Sequence, residues 1–294
     1  MTGEDATWQD TLLQLLALAA RLEGEGYYNI AKLTRAAADA MCRQAAHRRS
    51  VPSHKDELAA SIEQIAGAVA SFGMDQSLPA ALRRGAAALS AGRIPSISET
   101  PHPYVCRTCG HLALGEPAVK CPTCGAWPAT YQRFMPNYWF DALEPFAGLE
   151  TLRRTPEKVA ALLAGLSEEA MARPAGDGGW SIRNAITHLR DAQEVFAYRV
   201  ELFLQEEHPV LAAKAVWTWA ASEGEQPSTA REIFETYQAS RAEAVSKLER
   251  MPLADWWRTG EHEEFGTVTL RQQVSYFAAH ELTHLPQIEA LRPR

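Results

Sequence analysis

The 294-residue sequence has no apolar run near the roughly 20 residues that a membrane-spanning helix needs. Its first ten residues, MTGEDATWQD, lack the basic start and apolar stretch of a secretory signal, so a cytoplasmic location is expected. Basic residues are in deficit: 29 Lys and Arg against 36 Asp and Glu leave a net charge of −7, and the densest basic stretch, His47-Arg48-Arg49, has no aromatic neighbours. Nucleic-acid binders normally present a basic face, so neither nucleic acid nor membrane is expected as a partner. Repeats and low-complexity tracts are missing too, which leaves ordinary globular domains. Cysteine is scarce at five residues. Four of them fall in two tight pairs. Without a secretory signal, such pairs read as metal ligands rather than disulfides. Cys42, alone in a helical stretch, reads as a small buried apolar residue.

What is present is helical spacing. Residues 1–92 repeat apolar positions at helical intervals through TLLQLLALAARL, YYNIAKLTRAAADAMC, ELAASIEQIAGAVASF and PAALRRGAAALS, which predicts an N-terminal bundle of four helices. Gly24 and Gly26 separate the first two, Pro52 and Ser53 precede the third, and Leu78-Pro79 opens the fourth. Residues 93–103, rich in proline, read as a linker, and a cysteine module occupies 104–134. A second bundle of four helices is predicted over 139–294, at roughly 155–172, 181–206, 228–250 and 269–292. Its starts are signalled by Pro156, Ser181, Pro227-Ser228 and Thr269. The segments Trp217 to Gln226 and Asp255 to Val268 read as connecting loops.

The cysteine motif is Cys-x2-Cys-x11-Cys-x2-Cys, with ligands Cys106, Cys109, Cys121 and Cys124. Tetrahedral thiolate coordination needs two tight knuckles, each giving two sulfurs to one ion. Gly110 and Gly125 each follow a pair, where positive φ is required. From Tyr104 to Phe134 these residues resemble the rubredoxin-like domain of rubrerythrins, through YVCRTCG, a Gly-Glu-Pro turn and CPTCGA followed by aromatics. His111 stands where that family commonly has an aromatic residue. The resemblance implies a single iron and an electron-transfer partner; four thiolates suit zinc equally, as a structural staple. Rubrerythrins also carry a di-iron bundle built on Glu-x-x-His pairs. The N-terminal helices have none, and Glu99-x-x-His102 includes Pro101 and lies in the linker. The N-terminal bundle is therefore expected to be a scaffold or a homodimerisation element.

His280 and His284 are four apart and share one helical face with Leu270, Phe277, Ile288 and Leu291. His188 shares a face with Ala185, Ala192, Val195, Phe196 and Phe203. All three imidazoles are expected to point inward, where one divalent ion would satisfy them together. Here the sequence resembles the DinB-like, or YfiT-like, superfamily of metal-dependent enzymes, through GGWSIRNAITHL, EHPVL, GEHEEFGTVTL and HELTHLPQIEAL. The resemblance implies a four-helix bundle with zinc, nickel or iron on His188, His280 and His284, and thiol transfer or hydrolysis on a small-molecule substrate, often with a low-molecular-weight thiol. Glu281 is the candidate general base, or alternatively a salt-bridge partner at the bundle edge. His262 is a candidate pocket residue or a solvated loop histidine. HELTH also matches the zinc-peptidase pattern His-Glu-x-x-His, but position 287 is Gln where the extended metzincin motif has Gly, and no His follows His284. A peptidase is the minor alternative. The alternative of another class is a non-enzymatic redox or metal-sensing protein acting through the four cysteines.

Overall fold

The computed structural model describes residues 7–49, 55–72, 74–135, 143–176, 179–213 and 228–293. The protein is mainly α-helical, and two small three-stranded sheets are the β-structure among the described residues. It divides into two compact units, residues 1–90 with 104–113 and 117–132, and residues 91–103 with 114–116 and 133–294.

The first unit contains α1 (Trp8–Gly24), α2 (Tyr28–His47), α3 (Lys55–Ser71) and α4 (Ser77–Ser90). A capping box on Thr7 and Asp10 starts α1, and Gly26, at φ 85°, makes the turn into α2. The signals at Pro52 and Ser53 lie outside the described residues. α1 packs on α2, and α3 on α4. The residues they bury are almost all alanine: Ala19, Ala31, Ala38, Ala59, Ala66, Ala81, Ala86 and Ala88. Small side chains let helices approach closely but remove little apolar area from water. Leu13, Leu33 and Phe72 stay exposed, at 64%, 64% and 82%. Cys42 is exposed as well, not buried as expected. The cysteine module adds β1 (Pro103–Cys106), β2 (Leu112–Leu114) and β3 (Tyr131–Arg133), in sheet order β2-β1-β3.

The second unit is built on α5 (Pro145–Leu163), the short α6 (Glu168–Ala172), α7 (Ile182–Gln205), α8 (Ala230–Glu249) and α9 (Leu270–Ala290). α5, α8, α7 and α9 pack as neighbours around a closed four-helix ring. Capping boxes at Ser181, Thr229 and Thr269 open the last three of the long helices. Pro156 does not start a helix. It lies inside α5, which begins ten residues earlier than 155, with Pro145 in its first turn. Gly148 lets α5 approach α9, since a Cβ there would come within 2.8 Å of Val274 Cγ1.

The segment from Asp255 to Val268 is not simply a loop. It forms a 3-10 turn at Leu253–Trp257 and a hairpin of β5 (Thr259–His262) and β6 (Gly266–Thr269). β4 (Val210–Leu211) runs parallel to β5, pairing Leu211 with His262. Gly260 permits this approach, because a Cβ there would stand 2.8 Å from the Pro209 carbonyl. The 93–103 stretch, read as a linker, is tied to the hairpin: Ile97 N donates to the Glu263 carbonyl at 2.9 Å, and His102 Nε2 to the Phe265 carbonyl at 2.9 Å.

The bundle core consists of two apolar clusters. One holds Leu152, Ala192, Phe196, Ala244 and Phe277; the other holds Val159, Leu189, Tyr237 and Ile288. Between them, polar residues interrupt every long helix: Thr155 on α5, His188 and Gln193 on α7, Arg241 on α8, and His280, Glu281 and His284 on α9. These residues form a polar belt across the bundle.

Candidate metal centres

In the belt, His188 Nε2 lies 3.2 Å from His280 Nε2, and His284 Nε2 lies 3.3 Å from His280 Nε2. All three ligand atoms fall within 4.8 Å of one another. Tetrahedral donors at a zinc-to-nitrogen distance of about 2.0–2.1 Å stand about 3.3 Å apart, so the donor set fits a single ion. The rings are half-buried rather than sealed. His284 Nδ1 is 2.9 Å from Gln287 Oε1. That amide oxygen accepts the Nδ1–H, fixing the tautomer that leaves the Nε2 lone pair free to ligate. Trp180 stacks over His284, with ring centroids 6.2 Å apart, and lies 5.1 Å from His188.

Desolvation holds His188 and His280 neutral, the form that binds a metal. Burial, followed by the His284 ring, lowers the pKa of His188 to about 4. Burial, followed by the His284 and His188 rings, lowers that of His280 to about 3.

Glu281 lies at the core, not at the bundle edge, and is fully buried. Arg241 donates to both of its carboxylate oxygens, at 2.8 Å to Oε2 through Nη1 and more closely to Oε1 through Nη2. Tyr237 donates its hydroxyl to Oε2 at 3.1 Å. Arg241 also donates to Gln193 Oε1 at 2.6 Å and to the Leu152 carbonyl at 3.1 Å. That carbonyl needs such a donor, because the residue four positions on is Pro156, which has no N–H to offer. The proline inside α5 thus frees a backbone acceptor that helps hold the buried guanidinium.

His262, on β5, is 2% exposed, and its Nδ1 accepts from Glu264 N at 3.1 Å. It borders a partly open pocket of about 60 Å³ that His280 also lines, so it is a pocket residue rather than a solvated loop histidine. Burial, followed by the Arg199 charge, lowers its pKa to about 3. The unfolded chain takes up this proton near pH 6.5 and the folded chain does not. Stability from this group is therefore complete above pH 6.5 and lost as pH falls towards 3. Metal-free wild type should lose urea stability below pH 6.5 faster than His262→Asn, which keeps an acceptor for Glu264 N. The difference should approach about 1.4 kcal/mol per pH unit; parallel curves would remove His262 from the linkage.

In the first unit, Cys106 Sγ and Cys124 Sγ are 3.7 Å apart, and Cys109 Sγ and Cys121 Sγ are 3.6 Å apart. Four thiolates at about 2.3 Å from one ion have tetrahedral edges of about 3.8 Å, so this donor set also fits. The two knuckles repeat each other. Cys106 N donates to the His111 carbonyl and Gly110 N to the Cys106 carbonyl, each at 2.8 Å; Cys121 N donates to the Ala126 carbonyl and Gly125 N to the Cys121 carbonyl, again at 2.8 Å. Gly110 and Gly125 have φ of 79° and 73°, the conformation expected of them. Desolvation opposes the Cys106 thiolate, but the amides of Cys109 and Thr108 aim at its sulfur and outweigh burial, lowering its pKa. A groove of about 690 Å³ beside the knuckle is lined by Arg35, Cys42, Arg43, Cys106, Arg107 and Cys109.

The sequence reading singled out the seven ligand candidates that the structure gathers into these two clusters. It missed Gln287 as a tautomer-setting partner, Trp180 as a cover, and Arg199 and Arg241 altogether. Trp180 was visible in GGWS and Gln287 three residues after His284, but neither has a spacing that announces its role.

Residues 151–288, which include all three histidines, match the DinB superfamily. A Geobacillus kaustophilus protein named "Putative metal-dependent hydrolase" is 26% identical over 156 residues, spanning 53% of this chain and 88% of its own length. An Oceanobacillus iheyensis protein with the same description is 27% identical over 159 residues, spanning 54% and 86%. The solved structure of YfiT from Bacillus subtilis, described as "a probable metal-dependent hydrolase with an unusual four-helix bundle topology", aligns at 19% identity and a TM-score of 0.46. It covers 54% of this chain and 91% of that one.

Proposed function

We propose that the C-terminal bundle is a DinB-type metal-dependent enzyme, with His188, His280 and His284 holding a zinc, nickel or iron ion. The observation that carries this reading is the convergence of three half-buried histidines, with His280 Nε2 at 3.2 and 3.3 Å from the other two Nε2 atoms and all three ligand atoms within 4.8 Å. Three protein ligands leave a position open, the arrangement of catalytic rather than structural sites. When bound, such an ion lowers the pKa of a water or thiol and makes it a nucleophile at neutral pH, serving hydrolysis or thiol transfer to a small molecule. The chain's own residues then orient and shield: Gln287 holds the His284 tautomer, Trp180 covers two of the rings, and the Arg241–Glu281 pair braces α9 beside His280. With both oxygens engaged by Arg241 and Tyr237, Glu281 serves as a positioning residue rather than the base of a peptidase.

A second reading concerns the cysteine module, proposed as a rubredoxin-type iron or zinc centre. Its support is the matched pair of knuckles and the groove against Cys106 and Cys109, where an electron-transfer partner would approach. The alanine-lined α1–α4 hairpins serve as scaffold or homodimer contact in this reading.

Elemental analysis of protein purified without added metal tests the enzyme reading. Wild type should carry two ions per chain, and His280→Ala/His284→Ala should lose one. Hydrolysis or thiol-transfer turnover should fall by at least about 100-fold in that variant. Unchanged metal content would remove the three-histidine site.

A further inference from the structure

The partly open pocket next to His280 is not an apolar packing defect. Its wall combines Arg199, His262, Glu264, Tyr276 and His280 with apolar surface from Val195. It lies along the bundle from the histidine cluster: Arg199 follows His188 on α7, His280 is shared by both, and the β5–β6 hairpin closes the side. A cavity of this size holds on the order of two waters, or one small polar group of a ligand.

Arg199 decides which group. It is 5% exposed and stands over the Phe277 ring at 5.9 Å. Its Nη1 donates to Gln273 Oε1 at 3.3 Å and its Nη2 to the Ala212 carbonyl at 3.0 Å. Both acceptors are neutral, and a guanidinium has five donors. Arg241, the other deeply buried arginine, has a carboxylate on its fork; Arg199 shows no such ion pair among the described residues. Burial lowers its pKa only to about 10, so it remains a cation at neutral pH. Glu264 lines the same cavity, but burial outweighs the pull of Arg199 and raises its pKa. Among the described residues no carboxylate engages the Arg199 fork, and Glu264 reaches it only through space, so the buried cation is under-compensated. An incoming planar anion would supply it, in the bidentate geometry that guanidinium and carboxylate share.

We infer that this cavity is the carboxylate pocket of the three-histidine site: Arg199 receives the carboxylate of a small organic acid whose reactive group lies at the histidine end. The assignment rests on the enzyme reading for the reactive end alone. Carboxylate capture by Arg199 is independent of it.

The test is isothermal titration and thermal shift with propanoate, its neutral isostere propanamide, methanesulfonate and inorganic phosphate. Wild type, Arg199→Gln, Arg199→Lys and Glu264→Gln would be compared, each zinc-loaded and metal-stripped. Propanoate should bind wild type in both metal states, and propanamide should not. Arg199→Gln should weaken propanoate by at least about tenfold, and Arg199→Lys should weaken it less, keeping the charge but not the fork. Metal content should be the same in all four proteins. Glu264→Gln should strengthen binding by removing the competing in-chain carboxylate, and it keeps the proposal testable if Arg199→Gln does not fold. Propanoate affinity that survives both Arg199 substitutions, or a preference for phosphate or methanesulfonate, overturns the pocket. Loss of zinc binding in wild type with propanoate capture intact overturns the enzyme reading instead.

Discussion

Arg241→Met is expected to cost about 3–5 kcal/mol of folding stability, the usual penalty for leaving one member of a buried ion pair without its partner. Three groups lose their donor at once. The Glu281 carboxylate is fully buried and would keep only the Tyr237 hydroxyl. Gln193 Oε1 and the Leu152 carbonyl would also be abandoned, and the latter has no helical partner because Pro156 follows four residues on. Glu281→Leu should be damaging as well, since it strands the guanidinium. The double variant Arg241→Met/Glu281→Leu should recover much of the loss, because apolar replacement of a whole buried pair is often close to neutral. Urea unfolding at pH 7 reads this cycle directly. A double variant as unstable as the sum of the singles would show that the pair is not coupled. The double variant separates stability from function: it should refold the bundle yet weaken metal binding by about 10–100-fold, because the brace on α9 beside His280 is gone.

The sequence made the helices and the candidate ligands legible for different reasons. Helices show themselves through local periodicity and caps, and Ser181 and Thr269 open α7 and α9 as their side chains indicate. His280 and His284 declare a shared face by spacing alone. Pro156 misled because proline at a first turn and proline inside a helix look alike in sequence; only the guanidinium on α8 reveals why the interior position is tolerated. The β5–β6 hairpin was missed because its strands have four residues each and no turn dipeptide marks them. Arg199 and Arg241 were missed because a charged residue within an amphipathic helix is ordinarily solvated, and what buries them belongs to distant segments. The exposure of Cys42 likewise depends on how the helices pack, which local sequence does not show.

The largest effect of all is expected at Cys121. This residue is buried, and its thiol pKa is lowered to about 6: desolvation opposes the thiolate, but the nearby Tyr131 hydroxyl and the Cys124 and Thr123 amides outweigh it. A stretch of three short strands has too little apolar surface to fold alone, whereas a structural tetrathiolate ion supplies about 10–16 kcal/mol of apparent binding energy that is also folding energy. Cys121→Ser should therefore release one ion per chain and remove the hydrogen-exchange protection of the Cys106, Gly110, Cys121 and Gly125 amides that the knuckles now bond. The cooperative unfolding of the α5–α9 bundle should be unchanged, because its two apolar clusters contain no residue of the module. If the ion is iron, the variant should also lose visible thiolate absorption; if zinc, both proteins are colourless and only metal content and exchange report the change. Full protection in Cys121→Ser would mean that the strands hold themselves and the thiolates are free for redox work instead. Loss of protection spreading into α7 and α9 would mean that the two units fold as one.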